Sequence, residues 1–124
     1  MPRKKPRFDR PTRVIRRLRV IADELQAQLA TPRKTPVTKA EMTARIATWE
    51  EAEPLVQARL AQLPPRAASE RAAISLRPLQ ALLADQRKWL AAGLPTRAPM
   101  TATEIKRRIE LAEVVEVLIR TKHP

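Results

Sequence analysis

Apolar residues recur at helical spacing in four stretches of the chain. Val14, Ile15, Leu18, Ile21, Ala22, Leu25 and Leu29 share one face of a helix predicted over residues 12–30, with Thr12 as its N-cap. Met42, Ile46, Trp49, Val56, Leu60 and Leu63 follow at alternating steps of four and three, with Glu53 as a polar member of the seam. A third stretch, from Ala67 or Ser69 to Ala92, places Leu76, Leu79, Leu83 and Leu90 on one side, with Leu82 and Trp89 beside them. Ile105, Ile109, Ala112, Val115 and Ile119 form the fourth, widened by Leu111, Val114 and Leu118. Trp49 and Trp89 are expected in the core.

The punctuation between these stretches is equally helical. Thr38 with Glu41 reads as a capping box, and Val37 stands where it would pack on Met42 as a hydrophobic staple. Thr101, Glu104, Met100 and Ile105 repeat the arrangement. Pro54 falls inside the second pattern and predicts a kink or a restart near Glu53, while Pro64 and Pro65 end that helix. Pro78 reads as a first-turn proline after Ser75, dividing the third region in two. Gly93 suits a left-handed C-cap that lets Leu94 fold back on Trp89.

Shifting the chain by 63 residues aligns Pro36, Thr38, Glu41, Arg45, Ile46, Glu50, Glu53 and Leu55 with Pro99, Thr101, Glu104, Arg108, Ile109, Glu113, Glu116 and Leu118. The first and third helices match poorly at this offset. The predicted fold is an all-α helical bundle of about four main helices, arranged as two tandem helical hairpins with kinks or breaks near Pro54 and Pro78. A basic arm over 1–11 would precede hairpins at 12–65 and 66–124, packing as one domain. Closure of the seams within one chain, or with a second copy or a larger assembly, stays open at this level.

Composition narrows the chemistry. The chain has no cysteine, which removes disulfides and thiol chemistry, and a single glycine, which speaks against phosphate-cradling loops and hairpin turns. No apolar run approaches the length of a membrane span, and the expected location is the cytoplasm, away from membranes. Serine occurs only at Ser69 and Ser75, in no nucleophile context, and the one histidine is His123. Glu50, Glu53, Glu113 and Glu116 form two i, i+3 pairs without the Glu-x-x-His partners of a carboxylate-bridged metal bundle. No catalytic residue, metal site or cofactor is expected, and the chain is read as a non-enzyme.

Charge carries the functional hint. The net charge is +12, and residues 1–19 hold nine basic groups against Asp9 alone. Arg3, Lys4, Lys5, Arg7 and Arg10 lead into Arg13, Arg16, Arg17 and Arg19, with Arg13, Arg16 and Arg17 on one helix face. Basic groups at a helix start oppose the macrodipole, so an anionic partner is the economical explanation. Arg33, Lys34, Arg45, Arg97, Lys106, Arg107 and Arg108 complete the candidate nucleic-acid contacts, Arg45 and Arg108 being repeat equivalents that pairing with Glu41 and Glu104 would also explain. Two tryptophans and one phenylalanine cannot build a stacking platform. The expected function is a nucleic-acid-binding accessory protein gripping the phosphate backbone, DNA slightly before RNA, as a small subunit of a nucleoprotein complex or as a homodimer. The alternative is a helical adaptor whose basic arm meets an acidic partner.

Overall fold

A computed structural model of the chain describes residues 10–32, 35, 37–93 and 100–121. Within them every regular element is an α-helix: α1 (Arg10–Ala30), α2 (Lys39–Leu60), α3 (Pro65–Ile74), α4 (Leu76–Ala92) and α5 (Ala102–Arg120). The all-α bundle expected from the periodicity is present, with α3 and α4 as the two parts of a bent third helix. None of these helices is long and apolar enough to cross a membrane.

The starts of α2 and α5 are built alike. Thr38 and Thr101 are N-caps with nearly the same backbone angles, and their hydroxyls accept the N–H of Glu41 and Glu104 at 3.1 and 3.2 Å. The Glu41 carboxylate returns to the Thr38 N–H at 3.4 Å, closing the capping box. Val37 and Met100 pack on the cores that hold Met42 and Ile105. The device satisfies two N–H groups at the start of α2, those of Thr38 and Glu41, and one at the start of α5, that of Glu104.

One sequence expectation is corrected at Pro11, whereas the unbroken seam through Pro54 is matched by a continuous helix. Helix α1 begins at Arg10, so Thr12 lies in its first turn and is not the N-cap. Pro11 explains the shift, because its fixed φ and missing N–H suit the first turn of a helix rather than the loop before it. Arg10 and Pro11 therefore belong to the bundle and not to an arm. Helix α2 runs unbroken through Pro54, with no restart at Glu53. Pro54 is exposed, as is Glu50 one turn earlier, so the carbonyl that loses its N–H partner faces water.

The interruption in the third region sits at Ser75, where φ −128° and ψ −74° leave the helical basin. Pro78 has no N–H for the Ile74 carbonyl, and its ring would collide with that group in a straight helix, so the chain restarts at Leu76 with Pro78 in the first turn. The buried Ser75 hydroxyl donates to the Arg71 carbonyl at 2.6 Å, satisfying a polar group at the bend. Gly93 ends α4 at φ +82° as a left-handed C-cap. The predicted contact of Leu94 with Trp89 lies outside the described residues.

Packing joins α1 chiefly to α5 and α2 chiefly to α4, with smaller α1–α2 and α2–α5 contacts. Ion pairs from Arg13 and Arg17 to Glu51, and from Arg45 to Glu24, show α1 and α2 running antiparallel. Arg19 pairs with Glu116, and Ile21 and Leu25 cluster with Ile105 and Ile109, which makes α1 and α5 antiparallel as well. The pairings α1–α5 and α2–α4 exchange when the two halves of the chain are swapped. At the 63-residue offset Met42, Ile46, Thr48, Trp49, Ala52 and Val56 correspond to Ile105, Ile109, Leu111, Ala112, Val115 and Ile119, and all twelve are buried. Helices α1 and α4 correspond at 65 instead: Val14, Leu18 and Ile21 match Leu79, Leu83 and Gln86, again all buried.

Candidate nucleic-acid interface

The start of α1, the end of α2, all of α3, the start of α4 and the end of α5 share one end of the bundle. Arg59 near the end of α2 donates from Nε to the Ile119 carbonyl near the end of α5 at 2.9 Å, and Leu63, Ser75 and Thr121 line one groove there. Dividing each long helix at its middle gives this end ten basic side chains, Arg10, Arg13, Arg16, Arg17, Arg19, Arg59, Arg66, Arg71, Arg77 and Arg120, against six carboxylates. All ten are arginine. The opposite end carries seven basic side chains, three of them Lys39, Lys88 and Lys106, against six carboxylates. Four of the five net positive charges of the described helices are thus at the arginine end.

Several of these arginines also hold the bundle together. Glu51 of α2 receives Arg17 Nη1 at 3.3 Å and lies 3.6 Å from Arg13 Nε. Arg19 Nε donates to Glu116 Oε1 of α5 at 2.7 Å, and Arg120 stands 3.8 Å from the other oxygen of the same carboxylate. The hydrogen bond and charge of Glu116 raise the Arg19 pKa above its ordinary value. A raised basic group contributes its stabilisation below its ordinary pKa and loses it only as pH climbs through the raised one, so Arg19 stays charged across any working range. Arg66 pairs with Glu70 one turn on at 3.6 Å. Arg10, Arg16, Arg71 and Arg77 are exposed.

The remaining sequence candidates divide into three groups. Arg3, Lys4, Lys5, Arg7, Arg33, Lys34 and Arg97 lie outside the described residues. Lys106 and Arg107 are exposed near the start of α5, at the end remote from the α1 arginines. Arg45 and Arg108 are turned inward: Arg45 is 6% exposed with Nη2 3.6 Å from Glu24, and the Arg108 guanidinium sits 5.2 Å from the centroid of the Trp89 ring. Arg45 therefore meets a carboxylate of α1, where its own helix offered Glu41. Trp89, expected in the core, is half-buried beneath Arg108, whereas Trp49 is fully enclosed.

Sequence reasoning missed a polar layer in the core. Gln86 is 2% exposed, and its Oε1 has no hydrogen-bond partner among the described residues. With Arg45, Trp49 and Arg108 it lines a cavity of about 10 Å³ near the middle of the bundle. Its spacing from Leu79 and Leu83, seven and three residues earlier, is the signal that placed it inward. Exposed ion pairs of the Arg13, Arg17 and Glu51 kind are weak in water and exchange readily with an incoming phosphate. Arginine is the side chain best shaped for that exchange, since its planar fork presents paired donors to phosphate oxygens. Neither a known protein family nor any curated protein or solved structure matches this chain.

Proposed function

We propose that this chain is a non-enzymatic nucleic-acid-binding protein that holds the phosphate backbone at the arginine end of its bundle. It works in the cytoplasm as an accessory subunit of a nucleoprotein complex, with DNA as the first substrate to test. One observation carries the reading: among the described helices ten arginines and no lysine supply the positive charge of that end, and in the sequence Arg3, Lys4, Lys5 and Arg7 precede α1. A charge balance alone is indifferent to arginine or lysine, whereas bidentate phosphate contact favours arginine. The basic first turns of α1 oppose its dipole, a cost that phosphate contact offsets. Among the described residues no exposed aromatic side chain accompanies the charge, and the proposed contact is with backbone and not with sequence.

A helical adaptor for an acidic protein is the second reading, and the engagement of Arg13, Arg17 and Arg19 with carboxylates of α2 and α5 favours it. Binding of labelled duplex DNA, single-stranded DNA and RNA across a salt series separates the two. The phosphate reading expects affinity to fall steeply with salt, log K changing by about −0.9 per phosphate held on duplex DNA. Weak binding of all three, insensitive to salt, would overturn it.

A further inference from the structure

Two of the three large aliphatic side chains exposed on the described surface, Ile74 at 50% and Val117 at 48%, belong to α3 and α5, the helices on either side of one groove. Between α3 and α5 runs an apolar groove of about 380 Å³ lined by Leu63, Ala67, Val114, Val117 and Leu118. Ile74 follows Ala67 and Arg71 at steps of four and three, which sets it on the groove side of α3. Helix α3 has no fully buried residue, so its apolar side is only partly covered by its own chain.

The walls of the groove carry opposite charges, Arg71 on α3 and Glu113 on α5. Neither makes an ion pair with any described residue. The other sizeable groove, between α1 and α2, differs in this respect: its Arg17 is engaged by Glu51, and its Arg45 by Glu24. A groove with a cation on one wall and an anion on the other is complementary to itself under a two-fold axis, because each residue then meets its opposite in the second copy.

We infer that the α3–α5 groove is the contact face of a homodimer. Ile74 and Val117 of each copy enter the groove of the other, and Arg71 of each pairs with Glu113 of its mate. The inference does not rest on nucleic-acid binding. Like charges brought together at this face would be repelled, so the pairing also fixes the register.

Sedimentation equilibrium of the full chain, without nucleic acid and at moderate salt, tests it. The expected result is a reversible monomer–dimer equilibrium. R71E and E113R should each weaken it by about tenfold or more, and the double variant R71E/E113R should return it to within about threefold of the parent. Circular dichroism of each variant confirms that the helices persist. A chain that is monomeric throughout, a larger assembly, or a dimer indifferent to these substitutions would overturn the inference. Because no nucleic acid is present, each of those results leaves the phosphate reading to its own test.

Discussion

Trp49 and Ala112 stand at equivalent places in α2 and α5, yet one is the largest fully enclosed side chain of the core and the other among the smallest. In the helices that pack on them, Ile21 of α1 and Gln86 of α4 correspond at the 65-residue offset, and both are buried. The small Ala112 allows α1 to lie close along α5, which is the most extensive helix contact of the bundle. Trp49 instead fills space between α2 and α4, beside the amide oxygen of Gln86, which has no partner among the described residues. A buried acceptor without a partner costs about 1–3 kcal/mol, so Gln86→Leu is expected to leave stability unchanged or raise it by up to about that amount. Urea denaturation reads the change directly, and a loss above about 1 kcal/mol would mean that the amide is satisfied in solution. The inward position of Gln86 follows from spacing, but its polarity hides it. Arg45 was legible as a repeat residue and not as a buried one, because its partner Glu24 lies on another helix and no local pattern joins the two.

At the scale of the element, the helix starts were the most legible feature, since a cap, a staple and a capping box are local and leave their residues in sequence order. The two N-cap bonds differ by only 0.1 Å in length. Thr38→Ala and Thr101→Ala should therefore destabilise by similar amounts, about 1 kcal/mol each. Thermal or urea unfolding of the two variants checks the equivalence, and a large inequality would show that the shared residues do not do the same work. The correspondence of α1 with α4 was not legible at the offset that relates α2 with α5. The spacing between Leu18 and Met42 exceeds that between Leu83 and Ile105 by two residues, so one shift cannot align both helices of each half. The prolines were legible as disturbances, but their outcome depended on exposure. Pro54 on the water side is absorbed by α2, while Pro78 one turn after Ile74 displaces the break to Ser75.

At the scale of the whole molecule, helix direction converts a scattered charge excess into a polarised one. Along the chain the basic groups of α1, α3 and the end of α5 are far apart, and only antiparallel packing collects them at one end. Lys106 and Arg107, secondary candidates in the sequence beside the α1 arginines, are set by the fold at the opposite end from them. The central claim is that position, and not total charge, determines nucleic-acid binding. It is tested most directly by two variants of equal charge, one with Arg10, Arg16 and Arg66 changed to serine and one with Lys39, Lys88 and Lys106 changed to serine. Duplex DNA binding over a salt series should lose about 0.9 of its log–log slope for each contacting arginine removed in the first variant, and remain near the parent slope in the second. Equal losses in both variants, or a larger loss in the lysine variant, would contradict the account.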